Sequence, residues 1–469
     1  MSFSSVVSPI RCQSIQIIFV VLFFTLPIVS TAETTLSLDK TINIAQQNDP
    51  WLAGNTFTQE SIDSMSVAVG SLPDPKVSVA LANLPIDDFD FGAEGMTQVK
   101  VGVSQMFPRG STLALKRKQL QLQSSQFPFQ RQDRRAKIVV TVTHLWLDAY
   151  KAQESIALIE KDRELFEQLA DVAQASYSAA LGRTRQQDII RAQLELTRLD
   201  DRLTMLNQKR EMSLQKLSQW LSSYFLDNYS NGDSSTAINF TNGIRLDTQL
   251  PSRELLNSFL YDHNNTTSAN EIFEYLSRHP AVLALKQKIA TTDTGIDLAK
   301  QKYKPAWGVN ASYGYRGETP AGINRSDFLS LGVSFDVPLF TKNRQDKELE
   351  SAVAKSAAVQ TQEWLLLRKF IASFETAKAQ LYRLNERQAL YQQQLLPQMH
   401  EQAEASLTAY TNDDGDFAEV VRSRIAELNA EIDALSIAVD RQKTITQLNY
   451  FFTNNQEKPI NIDQQGEQK

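Results

Sequence analysis

Three prolines recur in this chain at a fixed interval. Pro50, Pro75 and Pro108 return as Pro280, Pro305 and Pro338, each 230 positions later. Proline fixes φ and has no amide donor, so it punctuates helices and strands. Agreement at three positions marks a duplicated unit. One copy opens on Asn48-Asp49-Pro50 and the other on Arg278-His279-Pro280. Each continues through about 20 residues of helical pattern to Pro75 or Pro305. Two strand-like segments follow, the second closed by Met106-Phe107-Pro108 or Asp336-Val337-Pro338. A long helical tract comes last in both.

The strand-like segments alternate strictly. Segment 76–84 sets Val77, Val79 and Leu81 on one face. Segment 97–107 sets Val99, Val101 and Val103 against Gln98, Lys100, Gly102 and Ser104. In the second copy, 307–315 opposes Trp307, Val309, Ala311, Tyr313 and Tyr315 to Gly308, Asn310, Ser312 and Gly314. Segment 328–338 opposes Leu329, Leu331, Val333, Phe335 and Val337 to Ser330, Gly332, Ser334 and Asp336. Such segments of about 10 residues suit the strands of a membrane barrel. A half-buried antiparallel sheet over an ordinary core reads the same way. The loop 85–96 is acidic, with Asp87, Asp88, Asp90 and Glu94.

The helical tracts favour the membrane reading. Val142, Leu145, Ala149, Ala152, Ile156 and Ile159 keep a 3-4 spacing, and Ile189, Ala192, Leu196, Leu199, Leu203 and Leu206 return it. Leu367, Phe370, Phe374, Ala377, Leu381 and Leu384 repeat the seam, answered by Ala418, Val421, Ile425, Leu428, Ile432 and Leu435. These are antiparallel coiled-coil hairpins, expected over 110–221 and 342–453. The turns fall at Leu181-Gly182-Arg183 and at Asn412-Asp413-Asp414-Gly415-Asp416. Some 70 helical residues reach on the order of 100 Å, the length of a rod or tube rather than a globular domain. Pro128 and Pro397 should kink or break the helices that contain them. Helix is also expected over 36–72, interrupted at Pro50, with an irregular linker over 222–270 and a disordered tail over 454–469.

Residues 1–32 read as a secretory leader: Arg11, an apolar run from Ile15 to Val29, then Ser30-Thr31-Ala32. Its removal takes away Arg11 and no acid, leaving the chain one unit more negative than its formal −6. It also takes Cys12, the single cysteine, so the exported chain has no thiol or disulfide chemistry. No other run is apolar and long enough for a membrane helix. Any membrane span must be made of strands, and the two units are then expected over 33–221 and 271–453.

Catalytic and cofactor chemistry find no pattern. His144, His263, His279 and His400 are scattered, without the three- or four-residue spacing of a zinc site. Glycine-rich phosphate loops and nucleophile elbows are absent. Asp413, Asp414 and Asp416 lack the glutamate that would complete a calcium loop, position 424 being arginine. The acidic pI of about 5.5 argues against nucleic acid. We expect no enzyme, no metal and no cofactor.

Four strands cannot close a barrel, and an open edge in lipid leaves backbone groups unpaired at several kcal/mol each. The strands must be pooled between chains. Two copies give eight strands and a filled interior, while three give twelve and leave a lumen. The segments Leu331-Gly332-Val333-Ser334-Phe335-Asp336-Val337-Pro338-Leu339-Phe340 and Lys304-Pro305-Ala306-Trp307 resemble the TolC-type outer-membrane efflux family. So does Leu181-Gly182-Arg183 followed by Asp188 and Arg191-Ala192-Gln193. Leu72-Pro73-Asp74-Pro75-Lys76 and Val103-Ser104-Gln105-Met106-Phe107-Pro108-Arg109-Gly110 resemble the branch paired with heavy-metal pumps.

The resemblance implies a mainly α fold with a membrane β-barrel portion. A homotrimer would form a twelve-stranded barrel in the outer-membrane lipid of a Gram-negative cell and an α-helical tunnel in the periplasm. It would serve a tripartite efflux or type I secretion system, meeting a periplasmic adaptor and an inner-membrane pump of the RND or ABC type. The adaptor-contacting tips fall on Leu181, Gly182 and Arg183 and on Asp413, Asp414 and Gly415, with Arg183 and the acidic second tip departing from the family's apolar pattern. The family's constricting ring falls on Glu419 and Arg422, whose mixed charges would pair across or along the closed mouth. Pro75, Pro108, Pro305 and Pro338 would mark the barrel–tunnel junction. The rival reading is a periplasmic coiled-coil adaptor or scaffold that never spans a membrane; it does not account for the paired alternating strands.

Overall fold

The two helix starts that open the repeats use one device with different residues. Helix α1 spans Leu38–Gln47 and α2 spans Pro50–Val69. Pro50 occupies the first position of α2, where its missing N–H costs nothing. Asp49 caps that helix, its carboxylate accepting from the Trp51 amide at 3.2 Å. Pro50 therefore starts a second helix, and the expected interruption falls just before it, at Asn48 and Asp49. After α6 (Ala269–Ser277), α7 (Pro280–Gln301) opens in the same way, with His279 Nδ1 accepting from the Ala281 amide at 3.2 Å.

The computed structural model describes residues 35–178, 185–221, 245–261, 269–412 and 415–453. The expected leader and tail lie outside these residues, as do 222–244 and 262–268 of the linker and Leu181, Gly182, Arg183, Asp413 and Asp414 of the tips.

Strands β2 (Lys76–Ala82), β3 (Gln98–Phe107), β5 (Trp307–Tyr315) and β6 (Phe328–Phe335) form one antiparallel sheet in that order. β2 pairs with β3 and β5 with β6 as hairpins, and β3 pairs with β5 between them. Among the described residues β2 and β6 each leave one edge unpaired. The first and last strands end earlier than their alternation: β2 stops at Ala82 before Asn83, held at φ +57°, and β6 stops before Asp336, whose carboxylate bonds the Ala306 amide.

The first long tract divides at Ser125 into α3 (Thr112–Ser124) and α4 (Gln126–Ser178). Pro128 explains the division. It cannot donate to the Ser124 carbonyl, and its ring crowds that same oxygen. At 53 residues, α4 is about 80 Å long. It pairs with α5 (Gln186–Leu221), and Ile156, Ile159, Phe166, Ala192, Leu199, Leu203 and Leu206 are buried in one cluster. In the second tract α8 (Gln345–Leu390) passes through a π-helical turn, Tyr391–Leu395, into α9 (Leu396–Thr411). Pro397 withholds the bond to residue 393, and the chain widens its turn there instead of breaking. The return helix α10 spans Phe417–Tyr450.

One element went unread in the sequence. Thr35-Leu36 (β1) pairs in parallel with Arg245-Leu246 (β4), inside the stretch read as irregular linker. The pair is pinned to α4: Trp146 Nε1 donates to the Leu36 carbonyl at 3.0 Å, and Gln153 both donates to and accepts from Leu246, at 3.2 and 3.1 Å. Among the described residues three apolar clusters hold the rest. One centres on Trp146, Leu147 and Leu217, a second on Leu276, Phe374 and Leu448, and the third fills the lower hairpins.

Candidate functional site

The sheet presents two unlike faces, sorted by its register with three exceptions: Gln105 stands in the apolar face beside Val309, and Met106 and Phe328 stand in the polar one. Val77, Val103, Ala311 and Leu331 stand in one row across the four strands, and Val79, Val101, Tyr313 and Leu329 in the next. Phe107, Trp307 and Phe335 form the last row at the end nearest the helices. Among the described residues nothing covers this face: Val79 is 72% exposed and Leu331 77%. The other face aligns Lys76, Ser104, Asn310 and Gly332, then Ser78, Gly102, Ser312 and Ser330. Aromatics stand at both ends of the apolar face. Trp307 lies 5.0 Å from Phe335 between ring centroids at one end, and Tyr315 stacks on Phe91 at the other.

At the helix end of the sheet, Pro75 precedes β2, Pro108 follows β3, Pro305 precedes β5 and Pro338 follows β6. Arg109 joins these crossings. Its guanidinium pairs with Asp336 beyond β6 and donates to the carbonyls of Lys302 at 2.6 Å and Lys304 at 3.3 Å before β5. Gly110 follows with φ +44°, where an added Cβ would sit 2.5 Å from the Gln301 side chain. Sequence reasoning marked the prolines and quoted Arg109 without its role. The bond joins residues 227 positions apart, a separation with no local pattern.

At the far end of the hairpins, α10 begins on an anchored turn. Asp416 accepts from the Ala418 amide at 3.2 Å, Phe417 and Val420 are buried, and Phe417 meets the Tyr410 ring at 5.7 Å. That anchoring turns Glu419 and Arg422 toward the opposite face, where they pair with each other along α10. Both reach solvent, Arg422 more than Glu419. Gly415 lies so close to the end of α9 that a Cβ would come 2.5 Å from the Tyr410 amide nitrogen. No residue but glycine fits there. At the first tip, Asp188 accepts from the Arg185 amide at 2.9 Å and so caps the start of α5.

A second charged group, not found in the sequence, ties α9 to α10. Arg424 reaches Glu404 at 2.5 Å and Glu427 at 2.9 Å, and Glu427 meets His400 Nδ1 at 2.6 Å. Arg424 and Glu427 are largely shielded, and the bond holds the Glu404 carboxyl below the usual range. Asp162 on α4 and Glu431 on α10 are pushed up, chiefly by desolvation, and then by the neighbouring carboxylates. Lys161 and Arg424 oppose the shift at Asp162, and Lys161 and His400 oppose it at Glu431. Among the described residues no group of three or more His, Cys, Asp or Glu could hold a metal ion, and no helix is long and apolar enough to cross a membrane.

No protein-family model matches the chain, and no curated protein matches it. Solved structures do. The Vibrio cholerae outer membrane protein VceC aligns at a TM-score of 0.69 with 11% identity, over 88% of this chain and 96% of that one. The Campylobacter jejuni CmeC outer membrane channel aligns at 0.69 with 13% identity, over 89% and 85%. The open state of the Neisseria gonorrhoeae MtrE outer membrane channel aligns at 0.65 with 15% identity, over 89% and 88%.

The chain has the fold of the TolC-type outer-membrane channels.

At such low identity the shared fold is carried by pattern rather than by residues. In this chain that pattern is the alternating strands, the two seams and the proline-marked crossings.

Proposed function

We propose that the chain is an outer-membrane efflux conduit, active as a homotrimer whose strands close a twelve-stranded barrel above a periplasmic tunnel. One observation carries the reading: an uncovered, in-register apolar face, bounded by aromatics, on a sheet with two unpaired edges. From Trp307 to Tyr315 the strand rises about 27 Å at 3.4 Å per residue. An outer-membrane barrel has an apolar band of about 25 Å between aromatic girdles. A water-facing sheet of this size would expose that whole face and two edges prone to aggregation. In lipid, with the edges paired between copies, both liabilities disappear.

The conduit is passive, with energy supplied by an inner-membrane pump reached through a periplasmic adaptor. The tips 181–183 and 413–415 are where the adaptor docks, polar contacts dominating at the second. Heavy-metal cations are favoured as cargo by resemblance to the metal-pump branch. Lys76 and Lys100 stand on the polar face of the strands, which carry no carboxylate there, so the barrel itself draws no cation and selection rests with the pump.

Glu419 and Arg422 form the periplasmic constriction, and three such pairs ring the closed mouth. Planar-bilayer recording tests this together with the conduit. Purified chain should give discrete conductance steps, and Glu419→Ala combined with Arg422→Ala should raise the conductance. A double variant that conducts no better than the parent removes the gate assignment. A chain that gives no steps, and that fractionates as a soluble monomer, removes the conduit and favours the periplasmic scaffold.

A further inference from the structure

Where the strands meet the helices, α3, α7 and the first turns of α8 enclose a cleft of about 1100 Å³, with Pro108 and Ala306 among its lining residues. Its charge is one-sided. Arg109, Lys116, Lys302, Arg344, Lys347 and Lys355 line it, and Glu348 is the single lining carboxylate among the described residues. That is a marked local excess in a chain whose formal charge is −6.

Half of these cations are already engaged. Arg109 pairs with Asp336, Lys302 with Glu348 at 2.9 Å and Lys347 with Glu350 at 2.7 Å. Lys116, Arg344 and Lys355 are exposed and have no partner among the described residues. Beside them α8, a helix of 46 residues, begins at Gln345 without a side-chain cap. Its first-turn acids are turned elsewhere: Asp346 accepts from the Tyr303 hydroxyl at 2.6 Å, and Glu348 holds Lys302. Gln345 lines the cleft at 7% exposure, and its side-chain oxygen finds no hydrogen-bond partner. A half-turn of that carboxamide presents two N–H donors in the same place.

The positive end of a long helix and unpaired cations together suit a tetrahedral oxyanion. We propose that this cleft binds a phosphate group. Two sources share that chemistry: a free phosphate and the headgroup of an anionic phospholipid. The lipid source rests on the membrane reading above, which sets Phe107 and Trp307 at the interface and the cleft at headgroup depth. The free-anion source does not depend on it.

Thermal unfolding of the full chain in a phosphate-free maltoside detergent separates these outcomes. Inorganic phosphate is titrated in one arm and phosphatidylglycerol-doped micelles in the other. The parent should be stabilised in at least one arm. A variant combining Lys116→Gln, Arg344→Gln and Lys355→Gln should bind about tenfold more weakly or worse. These three side chains make no hydrogen bond or ion pair among the described residues, so the variant is expected to unfold normally without ligand. Lys118→Gln, exposed on the same helix outside the cleft, should keep the parent's response. A shift with inorganic phosphate that the triple variant loses identifies a free-anion site. A shift confined to phosphatidylglycerol, also lost, identifies a lipid site. No shift in either arm, or an equal shift in the triple variant, overturns the proposal. Neither arm reads conductance, so failure here leaves the conduit reading intact.

Discussion

His279 is the residue whose surroundings speak most directly. It is 1% exposed, its Nδ1 accepts from the Ala281 amide, and its Nε2 bonds the Tyr450 carbonyl at 3.1 Å. The acceptor role fixes the tautomer: the proton sits on Nε2 and is donated to Tyr450. One imidazole thus caps α7 and fastens it to the end of α10. Burial is the main cause that lowers its pKa from 6.5 to about 4. Because the folded value lies below the unfolded one, the unfolded chain binds the proton more tightly between them. Stability is therefore fully present above pH 6.5 and is lost as pH falls toward 4. The melting temperature should drop over that window, and less steeply in His279→Asn, which can still cap the helix. His279→Ala should cost about 2–3 kcal/mol, from the lost cap and the orphaned Tyr450 carbonyl. A chemical-denaturation series measures both. In the first copy Asp49 holds the corresponding position and pairs with Arg134 at 2.8 Å. The two joints are built differently, and the neutral imidazole is the acid-sensitive one.

Among the elements, legibility followed period. Strands of seven or more residues and seams of six residues at 3-4 spacing were readable, because each residue repeats the information of its neighbours. The β1–β4 pair was not readable, since two residues carry no period and their partners lie in a stretch rich in Ser, Asn and Gly. Nor was the α9–α10 tie. Arg424 and Glu404 are 20 positions apart on antiparallel helices, and only the turn geometry, with Gly415 against Tyr410, brings them together. Arg424→Met should remove two charge-assisted bonds, costing about 2–4 kcal/mol, and should speed amide exchange in α9 before α4. The carboxylates nearby make the opposite prediction. Asp162 and Glu431 have folded pKa values above their ordinary ones, so the folded state holds their protons more tightly and stability falls as pH rises through those values. Asp162→Asn and Glu431→Gln should therefore raise the melting temperature at pH 7 and leave it unchanged in acid, where the parent carboxyls are already neutral.

For the whole molecule, the account turns on which side of the sheet meets lipid and how many copies share it. A charge placed on the apolar face near the middle of β6, as in Leu331→Arg, should cost about 2–4 kcal/mol in the membrane and reduce assembly. Ser330→Arg sits one residue away on the polar face and should assemble normally. A soluble sheet whose apolar face is covered by a partner would show the same contrast, but its particle would assemble outside the membrane fraction. Copy number is the harder constraint, because four strands per chain leave a lumen only when at least three chains pool them. Native mass spectrometry of the particle released from the outer-membrane fraction in mild detergent tests that claim most directly. The account predicts three copies of the chain in one particle that collapses to monomer on heating. A particle of any other copy number, or a monomer recovered only from the soluble fraction, would contradict it.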